Sequence, residues 1–264
     1  MKRFAVVLVF VMAFAWTACS SASSEAANLY EEIQNEGVIE VGTSADYAPF
    51  EYVDEDGNFV GFDMELIREI GDRLEVEIEI KDMSFDALIA AVQDGQVDLV
   101  IASMSPTAER DEQVDFSISY YTGTQSILGA ADSGITISDP EQISDYTIGI
   151  QSGTTLDDFV TGQIEDGLLN EDNVMRYDRA DNAALDLQAG RLDLVVIDTG
   201  PALALSENLG FEILLTDVLV DDPGTAIAIP EGETELKAAL DEVIAELEAE
   251  GYIDQLIETW LYSQ

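Results

Sequence analysis

The sequence predicts an α/β protein with parallel sheets, arranged as two lobes of similar build. Short apolar runs of strand length alternate with amphipathic helical stretches along the chain. A helix–glycine–strand unit recurs with an offset of 95 residues. Several strands end in polar tips, which is where sites form in open α/β sheets.

At the start of the chain, Lys2 and Arg3 precede an apolar run from Phe4 to Trp16, followed by Thr17-Ala18-Cys19. A charged start, a short apolar core and small residues at the end read as a secretory signal peptide over 1–18. The run is too short to span a ~30 Å hydrocarbon core comfortably. Cys19 is the sole cysteine and resembles the lipidated residue of a bacterial lipobox, although Trp16 and Thr17 depart from the usual pattern. Lipid attachment at Cys19 is expected, with plain cleavage or an uncleaved anchor as the alternatives. Residues 19–28 read as a flexible tether.

Gly37 to Thr43 is the first predicted strand. Phe62, Leu66, Ile70 and Leu74 share one face of a helix over 62–74. Phe85, Leu88, Ile89 and Val92 keep the same spacing, with Gly95 placed to end that helix, and Val97 to Ala102 follows as a buried strand. Leu185 to Pro201 repeats the unit Ala90 to Pro106: Gln, Gly, Asp, Leu, Val and Pro coincide and the apolar strand stays in register. Leu236, Leu240, Val243, Ile244 and Leu247 give the last long helix its buried stripe. Asp54-Glu55-Asp56-Gly57 lacks the spacing of a calcium loop and reads as a hairpin turn.

Composition narrows the chemistry further. The 264 residues include 55 acids, 10 bases, one cysteine and no histidine, for a net charge of −45. Triads and zinc sites that need imidazole are excluded, as are disulfides and thiolate cages, and neither metal nor cofactor is expected. So acidic a chain is a poor partner for nucleic acid. Yet 47% of the residues are hydrophobic, which separates this chain from a disordered acidic tail. Self-repulsion on this scale weakens a compact fold in dilute buffer, and molar salt screens it by shortening the Debye length to ~3 Å. The surface reads as salt-adapted, as in a halophile.

The polar tips are Thr43-Ser44, Ser103-Met104-Ser105, Ser152-Gly153-Thr154-Thr155 and Asp198-Thr199. A zwitterionic amino acid needs a cation and amide donors for its carboxylate, and acceptors including an anion for its ammonium. Arg110 can grip a carboxylate with paired hydrogen bonds. Ser152 to Thr155 precedes a helix start, where backbone N–H groups approach an anion. Asp198 ends an apolar strand, where an unpaired carboxylate is costly. Each has a plainer reading: Arg110 neutralising Glu109, Asp111 or Glu112, the Ser-Gly-Thr-Thr run serving only as an N-cap, and Asp198 capping a turn.

From about residue 36 onward the chain resembles the polar amino-acid-binding family of bacterial periplasmic solute receptors, subunits of ATP-driven importers. Val41 to Glu51 is similar to that family's opening strand and loop, and Gly61-Phe62-Asp63-Met64-Glu65-Leu66 to its helix signature. Ser103 to Arg110, Val114 to Ser117, Tyr120-Tyr121, Gln151 to Thr155 and the closing Gly251 to Trp260 fit as well. The resemblance implies a two-lobed periplasmic-binding-protein-like (type II) fold, with lobe 1 over 29–121 plus 226–264 and lobe 2 over 122–225. Two hinge crossings are implied near Tyr121–Gly123 and Asp222–Gly224. It further implies that Arg110, with the backbone N–H groups of Ser105 and Thr155, holds the α-carboxylate. Asp198, the Ser103 carbonyl and the Ser105 hydroxyl would hold the ammonium. Tyr47 and Phe85 would sandwich the side chain, with Ser44, Met104 and Gln151 tuning specificity, although both rings can also be read as core packing.

Two aromatics around a flat polar side chain slightly favour arginine, while lysine, histidine and glutamine remain open. Ser44 stands where many cation-binding relatives carry aspartate, and Asp46 and Glu51 are the candidate acids to compensate. The expected protein is thus a non-enzymatic, monomeric, lipid-anchored receptor outside the cytoplasm, whose partners are a free amino acid and the permease of an ABC-type importer. A sensor or chemoreceptor partner of the same fold, or a dehydratase-like enzyme, is the competing function.

Overall fold

The computed structural model describes residues 28–220 and 222–262; the signal peptide, Cys19 and nearly all of the tether lie outside them. The chain enters through α1 (Leu29–Glu36) and β1 (Val38–Thr43), then forms a small antiparallel sheet from β2 (Asp46–Tyr47), β3 (Glu51–Val53) and β4 (Phe59–Val60). The acidic stretch at Asp54 to Gly57 turns β3 into β4, with Asp54 accepting the Asp56 and Asn58 N–H groups. After α2 (Phe62–Leu74) come β5 (Glu77–Asp82), α3 (Leu88–Gln93), β6 (Leu99–Val100) and β7 (Val114–Phe116).

The chain then crosses into a second sheet. Its strands are β8 (Gln125–Ala130), β9 (Ile148–Gln151), β10 (Val174–Tyr177), β11 (Leu194–Asp198) and β12 (Phe211–Asp217). Between them lie α4 (Thr155–Glu165), α5 (Ala180–Gln188) and α6 (Thr199–Leu209). A second crossing returns to the first sheet as β13 (Ala228–Pro230), followed by α7 (Thr234–Ala249) and α8 (Tyr252–Ile257). The two crossings touch, since the Thr225 N–H donates to the Tyr121 carbonyl at 2.8 Å.

The spatial orders are β5-β1-β6-β13-β7 and β10-β9-β11-β8-β12. In each sheet one strand runs against the other four, and it is the strand that follows a crossing: β13 in the first sheet, β8 in the second. The structure is therefore two lobes of matching topology, each a mostly parallel sheet between helices.

The repeat detected in the sequence has a physical basis here. Gly95 and Gly190 end α3 and α5 with φ of 65° and 69°, a left-handed backbone that glycine adopts freely. The repeated aspartates do the same work: Asp98 accepts the Glu40 N–H at 2.8 Å and Asp193 accepts the Thr147 N–H at 2.8 Å. Each ties the start of its third strand to the neighbouring segment. The strand expected over Val97 to Ala102 is paired only at Leu99–Val100. Hydrogen bonds from the Asp98 and Ile101 N–H groups to Glu40 and Gly42 extend the contact on either side.

Alternate residues of β1 and β6 face opposite layers. Ile39, Val41, Leu99 and Ile101 pack with α2, α7 and α8, while Val100 and Ala102 pack with Leu88 and Val92 of α3. Leu236, Leu240, Val243, Ile244 and Leu247 are all buried, as the stripe on the last long helix requires. The second lobe has two corresponding apolar layers around Ile148 and Leu128. These layers hold both rows of strand tips rigidly toward each other.

Candidate functional site

A cavity between the two sheets is lined by Ser44, Tyr47, Phe85, Ser103, Ser105, Arg110, Gln151, Thr155 and Asp198, along with apolar residues of the second lobe. These are nine of the ten residues expected to contact a ligand. The tenth, Met104, is elsewhere: it is 1% exposed and packs in the apolar layer with Leu88, Val100 and Phe116. Ser103 and Ser105 line the cavity, whereas Met104 between them packs into the core. The expectation that Met104 tunes specificity by contact is corrected on that ground.

Arg110 is 7% exposed and forms no ion pair within 4.0 Å among the described residues; Asp158, Asp222 and Glu109 act on its charge only from farther away. Two of its donors are used on carbonyls, Ser105 at 2.8 Å and Gly153 at 2.9 Å, one from each lobe. A guanidinium carries five N–H donors, so others remain for an incoming anion. Its plane lies near the Phe85 ring, with 5.4 Å from the central carbon to the ring centroid. Burial pulls the Arg110 pKa down from its usual value, because little water shares the charge.

Across the cavity, α4 begins at Thr155. Thr154 is its N-cap, accepting the Asp157 N–H at 3.1 Å. The N-cap reading of this run is therefore right, and it leaves the next amide available: among the described residues the Thr155 N–H has no acceptor. Gly153 adopts φ of 73°, and a Cβ there would sit 3.1 Å from Asp86 Cβ of the facing lobe. Glycine is what permits this close approach.

Asp198 occupies the N-cap position of α6, yet its side chain makes no capping hydrogen bond. Instead it accepts from the Tyr47 hydroxyl at 2.8 Å, a contact between lobes. Burial raises its pKa to about 6. Tyr47 has its ring stacked on Phe50 with centroids 6.3 Å apart, so it is part core and part site. Gln151 is 8% exposed and reaches toward the Asp178 carbonyl at 3.5 Å.

One lining residue is an acid that sequence reasoning placed only among possible compensators. Glu51 is 1% exposed and faces the cavity. Asp63 lies close to it, and burial followed by the Asp63 charge pushes the Glu51 pKa well above the usual carboxylate range. Two buried carboxyl groups so close favour a state in which one keeps its proton. Asp63, at the first turn of α2, also accepts the Ser103 N–H at 2.7 Å, which holds Ser103 at φ of 47°. The helix signature and the strand tip are thus joined through Asp63. Asp46, the other possible compensator, does not line the cavity.

The described residues contain no group of His, Cys, Asp or Glu side chains arranged to hold a metal ion, and no helix long and apolar enough to cross a membrane. The model of the bacterial extracellular solute-binding proteins, family 3, matches residues 39–263. The chain is 34% identical to the arginine-binding extracellular protein of Bacillus subtilis over 98% of both chains. Among solved structures, an ancestral arginine-binding protein bound to arginine superposes with a TM-score of 0.79 at 34% identity, covering 85% of this chain and 98% of that one. An ancestral arginine-binding protein bound to glutamine superposes with a TM-score of 0.77 at 34% identity, covering 86% and 99%.

Proposed function

The chain belongs to the bacterial extracellular solute-binding proteins, family 3, and we propose that it captures a free L-amino acid with a cationic side chain, arginine first, for delivery to an ABC-type importer. The observation that carries the reading is the opposition of Arg110 and the Thr155 amide to Asp198 across one interlobe cavity. A zwitterion matches that arrangement, with its carboxylate on Arg110 and its ammonium on Asp198. Ser105 and Ser103 supplement the two ends. Tyr47 and Phe85 flank the side chain, with Ser44 and Gln151 beside it. Glu51 adds to the cavity wall the carboxyl that Ser44 does not supply, and a cationic side chain beside it would draw off its proton and favour its ionised form, which favours a guanidinium over a neutral amide. Relatives that bind arginine, and an arginine-binding ancestor that also takes glutamine, support this class.

The ligand leaves unchanged, so the chain is a receptor rather than an enzyme. Lobe 1 (29–121 plus 226–264) and lobe 2 (122–225) pivot about the paired crossings near Tyr121 and Thr225 and close on the ligand. Cys19 carries the lipid that holds the monomer at the outer face of the membrane, and a permease reads the closed shape.

The test is a thermal-shift series against all twenty amino acids in molar salt, since a ligand that binds only the folded state raises the melting temperature by mass action. Arginine is expected to give the largest shift. Glu51→Gln should shrink the arginine shift more than the glutamine shift, and Arg110→Ala should abolish both. If no amino acid moves the melting temperature, the ligand class is wrong.

A further inference from the structure

Asp46 is buried beside the cavity without lining it, with 1% of its side chain exposed. One of its partners lies in its own lobe: the Ser44 hydroxyl donates to it at 2.8 Å. The others come from the facing lobe. The Ala180 N–H donates to its second oxygen, and the Arg179 guanidinium lies at 3.7 Å. Arg179 also pairs with Asp82 at 3.2 Å, a second acid of the first lobe.

Ala180 is the first residue of α5, and the residue at its N-cap, Arg179, makes no capping hydrogen bond with its side chain. The cap for α5 therefore arrives from across the cleft. A buried carboxylate is costly unless it is paired and hydrogen-bonded. Burial accordingly raises the Asp46 pKa, while Ser44, Arg179 and Ala180 pull it back. Two of those three partners are present only when the lobes meet. In a chain with 55 acids and 10 bases, closing the cleft brings like charges together, and Arg179 sits at that seam as the cation between Asp46 and Asp82.

We propose that Asp46, with Arg179, is a positioning residue that latches lobe 2 onto lobe 1, so that it sets the affinity for every ligand by a common factor. This rests on the reading that the cleft closes on its ligand. The thermodynamic basis is simple: when only the closed form binds tightly, apparent affinity scales with the fraction closed. A latch that touches no ligand changes that fraction alone, and it changes dissociation more than association.

The experiment uses the full chain without its leader, in molar salt, with one spin label at an exposed position on each lobe. Interlobe distances are measured for wild type, Asp46→Ala, Arg179→Ala and the double variant, each with and without arginine, and dissociation constants are measured for arginine and glutamine. Asp46→Ala should shift the ligand-free distances toward longer separations and weaken both amino acids alike, by about tenfold or more. Arg179→Ala should do the same to a smaller extent, and the double variant should fall short of the product of the two effects. An unchanged ligand-free distance distribution in Asp46→Ala overturns the latch. So does a loss confined to arginine, which would make Asp46 a ligand contact. If no amino acid binds the wild type, the proposed function fails, while the ligand-free distances still decide for or against the latch. Melting temperatures of the ligand-free variants close to wild type confirm that the lobes themselves remain folded.

Discussion

Asp198 meets two opposing demands. Burial favours its neutral form, which is why its pKa stands at about 6, whereas the ammonium contact proposed for it requires the ionised form. A carboxyl whose folded pKa is raised stabilises the fold fully below its unfolded value, and that contribution is lost as pH rises through the folded value. The ligand-free protein should therefore gain stability as pH falls from about 7 to about 4, helped by Asp63, whose pKa is pushed up to about 7. Affinity should move the other way, falling below pH 6 by up to about tenfold per unit as Asp198 takes its proton. Denaturant titrations and binding isotherms over pH 4–8 measure both, and Asp198→Asn should flatten the part of the affinity profile that belongs to this residue. That Arg110 and Asp198 line one cavity could be anticipated from the sequence, because Asp198 ends an apolar strand where a charge needs a partner and Arg110 is one of few bases, just beyond another polar tip. Glu51 was harder to read, because it sits in a short strand whose pattern does not reveal which side faces the cavity. Met104 was hard to place for a related reason: the backbone turns at that tip, with Ser103 at φ of 47°, and which side chain then faces inward leaves no pattern in the sequence.

At the scale of elements, α2 shows how a local motif serves a distant site. Gly61 precedes it with φ of 126°, and a Cβ there would lie 2.2 Å from the Phe50 carbonyl oxygen. The Phe50 and Pro49 carbonyls accept the Asp63 and Phe62 N–H groups, so the start of the helix is fastened to the loop that carries Tyr47 and Glu51. Gly61→Ala should destabilise the protein by about 2 kcal/mol or more, through backbone strain and the clash together. It should also weaken ligand binding by displacing that loop, and the denaturation midpoint in molar salt and the arginine dissociation constant read the two effects. The helix itself was legible in full, since the observed bounds are Phe62–Leu74 and the apolar spacing is that of one face. The hairpin that follows β1 was legible only in its turn. Strands of two and three residues are too short for a period-2 pattern to stand out.

For the whole molecule, charge is the governing quantity. At −45 the surface repels itself in dilute buffer, and several of its few cations are committed to nearby acids: Arg73 to Glu69 and Glu250, Arg176 to Asp157, Lys237 to Asp241. The melting temperature should fall steadily as salt is lowered from about 3 M to about 0.1 M, where the Debye length grows to ~10 Å. Circular dichroism melts at fixed pH in sodium chloride measure this. Arginine should oppose the fall, because its binding favours the closed folded form by mass action.

The sequence by itself determined the two matched lobes, the helices that cover them and the charged residues set at the polar strand ends. Those properties are written in local periodicity, in a repeat at a fixed offset and in charges too costly to bury alone. Only the tertiary structure decided which groups meet across the cleft. Tyr47 reaches Asp198 from 151 residues away, Asp46 caps a helix 134 residues distant, and Glu51 turns inward beside Asp63. Such encounters follow from how two finished lobes are set against each other, and a contact between distant residues leaves no periodic trace in the chain on either side.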